Sequence, residues 1–318
     1  MRFNPRARID TGRTRDAGRG RAGRTGGSGS GMSIPFPSGG VGKGGIGGVI
    51  VVVLFLVVTQ CLGDTGTGTG SQTGAATGTS IDGEESQRYD ACQSGADANE
   101  NPDCARAIVE NSLRAFWSRT LPAQSGTDFT PTQVVTFTDA ISTGGCGEAS
   151  AAVGPFYCPV DATIYLDSTF FAQVLEGQLG GSGGDFVEPY VLAHEYGHHL
   201  QALLGTLGQV RTQQGPESDA VRLELQADCY AGMWAKGALE TTDESGVRIF
   251  ESLDDAAVRE ALDAAKTVGD DLIQQRTQGR VDPDGWTHGS SAERQRWFST
   301  GFGTGDLAEC DTFSADQL

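Results

Sequence analysis

Residues 191–201 read VLAHEYGHHLQ. Val191, Leu192, Ala193 and Leu200 make the run apolar enough for a partly buried helix. In a helix His194 and His198 lie four residues apart and share a face, so their imidazoles can converge on one ion. Glu195 adjoins the first His and can reach a water on that ion, whose proton a carboxylate can take. The bland alternative is a surface helix with chance histidines. Against it, three of the chain's four histidines fall within six residues. His199 points about 100° away around the helix and is expected to pack or to hydrogen-bond rather than to ligate.

Two imidazoles leave a catalytic zinc one protein ligand short. A further His six residues after His198 would supply it, but position 204 is Leu. Residues 224–228 read ELQAD, inside a second helix expected from about 216 to 239. Glu224 and Asp228 are again four apart and share a face. Two antiparallel helices can therefore present His194, His198 and Glu224 to one ion. Asp228 would sit behind, accepting the free N–H of a ligand histidine and fixing its tautomer. A solvated acidic face is the rival reading, but Leu223, Leu225, Ala227, Cys229, Ala231 and Trp234 leave that helix little polar surface. Glu217 is the fallback ligand and Asp219 a weaker one.

The surrounding chain supplies an α+β frame. Residues 105–117 carry one apolar helical face, and 132–138 (TQVVTFT) read as a strand. Residues 154–167 (GPFYCPVDATIYLD) read as two short strands about a turn at Pro159 and Asp161, with a short helix at 168–176. The His-bearing helix should open near Asp185 or Glu188, with Pro189 in its first turn, and stop at Gly205. Further helical patterns occupy 252–276 and 290–299. A small sheet followed mostly by helices is an α+β arrangement.

Charge divides the chain. Residues 1–43 hold nine basic and two acidic side chains, a local +7, whereas the whole chain is −18, so the remainder carries −25. The first 43 residues are Arg/Gly/Ser-rich and read as a disordered basic tail. Residues 44–63 contain no charge and, as a helix, span about 30 Å, one hydrocarbon core. With the basic flank on their N-terminal side, they read as a retained single-pass anchor in the cell membrane. The N-terminus is then cytoplasmic and the rest extracytoplasmic. A cleaved signal peptide fits less well, because 43 residues precede the apolar run and no A-x-A-like site follows. Residues 64–87 form a Gly/Thr/Ser linker, and 88–318 the folded domain. Six cysteines remain beyond Cys61, an even number that suits disulfides in an exported domain. Sequence proximity favours Cys92–Cys104 and Cys146–Cys158, which leaves Cys229–Cys310.

The stretches HEYGHHLQ, ELQADCYAG, GPFYCPVDATIYLD and WTHGSSAERQRWFSTGF together resemble the bacterial family described as putative neutral zinc metallopeptidases, over roughly residues 88–310. The resemblance implies a zincin-like fold of the gluzincin kind, Zn2+ as cofactor, Glu224 as third ligand and Glu195 as catalytic base. It also implies a protein or peptide substrate laid along an edge strand, with TIYLD the candidate. By analogy with thermolysin-like sites, His288 is a candidate donor to the oxyanion formed on attack. Tyr230 and Tyr196 are rival donors, and a loop position before a helix capped by Ser290 or Ser291 is the bland alternative. Arg294, Arg296 and Trp297 are expected to anchor that last helix to the core. The reading is thus a membrane-anchored zinc endopeptidase. A zinc amidase acting on cell-wall peptides and a non-catalytic envelope module that keeps its metal are the alternatives, and a retained Glu195 argues against the latter. Nothing in the chain indicates nucleotide binding, and the acidic domain argues against nucleic acid.

Overall fold

The computed structural model of the chain describes residues 1–19, 87–150 and 153–318. The expected anchor at 44–63 and the linker lie outside these residues, apart from its last position, Gln87. Among the described residues no helix is long and apolar enough to cross a membrane.

The strands are β1 (Arg2–Phe3), β2 (Thr14–Arg19), β3 (Gln133–Thr138), β4 (Ala140–Ser142), β5 (Glu148–Ser150), β6 (Phe156–Cys158), β7 (Thr163–Asp167) and β8 (Phe250–Ser252). The main sheet runs β2-β3-β7-β6, with β2, β3 and β7 parallel and β6 antiparallel to β7. β1 pairs with β8, and β4 with β5. The long helices are α1 (Pro102–Ser125), α2 (Val187–Leu204), α3 (Asp219–Gly237), α4 (Asp255–Thr267), α5 (Asp270–Gln278) and α6 (Ser291–Thr304). The fold is α+β, as the sequence pattern indicates. The pattern at 252–276 resolves into two helices around Gly269, and the short helix expected at 168–176 is a π turn over Phe171–Glu176.

Local signals explain the helix ends. Asn101 caps α1 by accepting from the Asp103 N–H, with Pro102 in the first turn where no N–H is needed. Gly205 closes α2 at φ +75°. Ser290 and Glu293 form a reciprocal capping box on α6. The core gathers Trp117, Leu113 and Leu121 of α1, Leu192, Tyr196 and Leu200 of α2, Trp234 of α3 and Phe298 of α6. A smaller cluster, with Val135, Phe137, Phe156, Cys158 and Tyr165, fills the opposite face of the sheet.

Two expectations are corrected here. Residues 1–19 are folded, not a disordered tail. Phe3 and Ala7 are buried in the core, and β2 lies beside β3. The charge contrast that read as two surroundings is, in this segment, charge complementarity. Arg2 pairs with Glu251, Arg19 with Asp139, Asp10 with Arg114, and Asp16 with Arg88. Because β2 and β3 are hydrogen-bonded neighbours, residues 1–19 and 88–318 lie on the same side of any membrane. Residues 20–43 of the expected tail lie outside the described residues. The second correction concerns TIYLD. As β7 it is interior, flanked by β3 and β6, so it cannot accept a peptide strand. The edge strands of this sheet are β2 and β6, and β6 is the one that lines a cleft with His194 and Glu195.

The disulfides Cys92–Cys104, Cys146–Cys158 and Cys229–Cys310 are all formed. Cys229–Cys310 bridges a separation of 81 residues and ties α3 to the C-terminal segment. Converting both of its cysteines to serine will lower the stability by about 4 kcal/mol, measured as a fall in the denaturant midpoint with a steeper slope, because the denatured chain without the cross-link is more open.

Glu110 on α1 is wholly buried. Asn111 donates to its Oε2 at 2.9 Å, and the Arg114 Nε lies 3.7 Å from its Oε1. Burial outweighs these partners and lifts its pKa to about 7. A raised carboxyl pKa means the native state holds a proton that the unfolded chain has released. Stability is therefore lost as pH rises from the ordinary carboxylate value, 4.5, through about 7. Glu110→Gln will raise the thermal midpoint at pH 8 and leave it nearly unchanged at pH 4.5. The gain at pH 8 is at most about 3 kcal/mol.

Candidate metal centre

α2 and α3 lie against each other along the line that carries the motif residues. Gly197, the third residue after His194, makes this possible. A Cβ there would stand 2.9 Å from the Ala227 Cα and 3.1 Å from its carbonyl oxygen. A glycine inside a helix costs about 1 kcal/mol, so its presence here reflects the close approach. Gly301 does the same for α6, where a Cβ would collide with the Cys229 carbonyl of α3.

The approach brings His194, His198 and Glu224 together. One donor atom from each lies within 4.8 Å of the others, and all three residues are buried. The His194 Nε2 is 3.2 Å from the Glu224 Oε2, and the His198 Nε2 is 3.4 Å from its Oε1. Zinc bonds of about 2.0–2.1 Å in tetrahedral array put neighbouring ligand atoms about 3.3 Å apart. The Glu224 Oε1 is buried without a hydrogen-bond partner. Donor type, spacing and this orphaned oxygen all fit a zinc ion.

The tautomers are set from behind. The His194 Nδ1–H donates to the Asp228 Oδ1 at 2.8 Å, and the His198 Nδ1–H to the Gln201 Oε1 at 2.8 Å. Gln201 cannot rotate freely, because its amide donates to the Leu223 carbonyl and to the Gln226 Oε1. Both rings are therefore fixed with Nε2 towards the cleft, where each becomes a ligand once an ion takes the place of its proton. Asp228 is itself clamped. Tyr190 donates to its Oδ1 at 2.6 Å, and Arg294 donates from Nε to Oδ2 at 2.7 Å and from Nη2 to Oδ1 at 3.0 Å.

Burial alone would raise Asp228, but Arg294 and His194 hold its pKa down at about 2. Burial would lower His194, yet Asp228 and Glu224 carry it up to about 10. Glu224 is held well below the ordinary range, against burial, by the neighbouring His198, His288 and His194. Asp228 and Arg294 neutralise each other. The Glu195 and Glu224 carboxylates then face the two imidazoles, where a divalent cation can replace the imidazole protons as their counter-charge. Glu195 is buried and its pKa is raised, with burial the largest cause. The Tyr157 backbone N–H of β6 faces its carboxylate and opposes part of that rise.

His288 also reaches the cleft, which is lined otherwise by Val153, Phe156, Phe170, Val191, Leu223 and Ile273 among others. Its Nδ1 meets the Thr287 Oγ1 at 2.8 Å and the Asp270 Oδ1 at 3.5 Å. Asp270 is fixed by the backbone N–H groups of Thr287, His288 and Gly289.

His194, Glu195, His198, Glu224 and His288 therefore line one cleft, with Asp228 behind His194. Glu217 and Asp219 stand outside the cluster. Tyr196 and Tyr230 do not line the cleft. His199 turns away from the ion site, as its position on the helix requires. Arg294 does more than anchor α6, since it secures the carboxylate that orients His194. Asp270, Tyr157 and Tyr190 were not foreseen. Only Tyr190 carried a local signal, lying one helical turn before His194.

A family profile described as "Putative neutral zinc metallopeptidase" matches residues 1–313. It begins at residue 1, in keeping with the folding of residues 1–19 onto the domain. An uncharacterized protein of Mycobacterium tuberculosis is 53% identical over 231 residues, covering 71% of this chain and 76% of its own. Uncharacterized protein YpfJ of Escherichia coli (strain K12) is 45% identical over 180 residues, 53% of this chain and 57% of its own. No solved structure matches the chain.

Proposed function

This chain belongs to the neutral zinc metallopeptidase family, and from that premise and the site's geometry we propose that it is a zinc-dependent endopeptidase. The observation that carries the reading is the meeting of two imidazole Nε2 atoms and the Glu224 carboxylate beside a buried Glu195. His194, His198 and Glu224 would hold the ion. Zinc supplies a Lewis acid that lowers the pKa of water towards about 7 and polarises a carbonyl. Glu195 takes the proton of the attacking water and passes it to the departing amine, and a carboxylate with a raised pKa suits both transfers. His288 donates from Nε2 to the oxyanion, with Nδ1 held by Asp270 and Thr287. The apolar cleft walls exclude water, and the free edge of β6 offers backbone groups to an extended peptide.

The three disulfides support work in an oxidising compartment, so we place the catalytic domain outside the cytoplasm.

The test incubates the purified full-length chain with a peptide library, with and without a zinc chelator. Cleavage that the chelator abolishes and added zinc restores supports the reading. Hydrolysis of purified peptidoglycan without cleavage of any library peptide would replace it with the cell-wall amidase. His288→Ala will lower kcat about a hundredfold, with KM and zinc content near the wild-type values.

A further inference from the structure

β6 is three residues long, and its residues face two ways. Phe156 and Cys158 belong to the small cluster on the far face of the sheet, and Cys158 is bonded there to Cys146. Tyr157 alone faces the main core and the metal-binding helix α2. It meets that helix twice. Its hydroxyl lies 3.1 Å from the His199 Nδ1, and its backbone N–H faces the Glu195 carboxylate. The His199 Nε2 is 2.6 Å from the Thr130 carbonyl, which can only accept, so Nε2 carries the proton and Nδ1 accepts from Tyr157. His199 is 2% exposed, and the rings of Tyr157, Tyr196 and Phe129 pack around it at 5.4, 5.9 and 6.3 Å. Both of its nitrogens are committed, so it has nothing to offer a metal.

We propose that His199 is a positioning residue that fastens the substrate-binding edge strand to the metal helix through Tyr157, setting the distance between that strand and the general base. This rests on the peptidase reading. In an antiparallel pair the N–H and C=O of one residue point to the same side. The Tyr157 N–H points away from β7 to Glu195, so its carbonyl also faces the cleft, where it can accept the N–H of a bound peptide. One residue thus presents the base and an acceptor for the substrate backbone, and His199 fixes where that residue stands. The second histidine of the His198–His199 pair serves the strand, as the first serves the ion.

The test compares the full-length protein with His199→Phe, Tyr157→Phe and the double variant. Each single variant removes the shared hydrogen bond and keeps an aromatic ring. Zinc content, backbone hydrogen exchange over residues 154–160, and kcat and KM on a cleaved peptide are measured for all four. Both single variants are expected to bind zinc as the wild type does and to exchange the β6 amides about tenfold faster. Both should lose about tenfold in kcat/KM, the factor one buried hydrogen bond supplies. The double variant should be no worse than His199→Phe, because Tyr157→Phe removes only a bond that His199→Phe, which also loses its bond to the Thr130 carbonyl, has already broken. Unchanged exchange, a loss of zinc in His199→Phe alone, or a double variant about tenfold worse than His199→Phe would overturn the proposal. If His199→Phe fails to fold, Tyr157→Phe carries the test through exchange and kinetics. If the wild type cleaves no peptide, the peptidase reading fails, and exchange with zinc content still decides whether His199 fastens the strand.

Discussion

Glu195→Gln will reduce peptide hydrolysis by at least about a thousandfold while the protein keeps its zinc. The carboxylate stands beside the ion site without belonging to it, since the donors that converge are those of His194, His198 and Glu224. Gln has nearly the same shape and can still lie against β6, so neither the fold nor the ligand set should change. What disappears is a base able to take and return a proton. Metal analysis beside steady-state kinetics checks this. A variant that loses zinc together with activity would mean that Glu195 acts as a ligand.

Glu224→Gln will weaken zinc binding by at least about a hundredfold and remove activity with it. Structural zinc binding of 10–16 kcal/mol shared among four ligands assigns roughly 3 kcal/mol to each. The loss here is sharpened by burial. Glu224 is 2% exposed, and its carboxylate faces the two imidazoles. Titration with zinc followed by thermal unfolding reads the effect. The wild type will gain stability as zinc exceeds its dissociation constant, about 2.7 kcal/mol at a hundredfold excess, and the variant will not.

Much of this centre could be read from the chain because its parts are local. His194 and His198 are one helical turn apart, as are Glu224 and Asp228, and apolar neighbours marked both helices as buried. The short-range disulfides follow from proximity, and the third follows by exclusion. The parts that could not be read are those that depend on distant pairing. Arg294 and Asp270 reach the site from α6 and the start of α5, where nothing nearby marks them as partners of Asp228 and His288. The place of TIYLD inside the sheet depends on β3 and β6 flanking it, although its unbroken burial is what an interior strand shows. Residues 1–19 misled through composition. Their arginines resemble a solvated arm until the acidic partners are known, and Glu251 and Asp139 lie far along the chain.

The central claim is that two imidazoles and the Glu224 carboxylate share one zinc ion. X-ray absorption at the zinc edge of the purified full-length protein tests it most directly. The account predicts a first shell of nitrogen and oxygen at about 2.0–2.1 Å that contains two imidazoles and no sulfur, and its loss in Glu224→Gln at equal zinc. A shell with sulfur at about 2.3 Å, or a spectrum unchanged by removing Glu224, would contradict it.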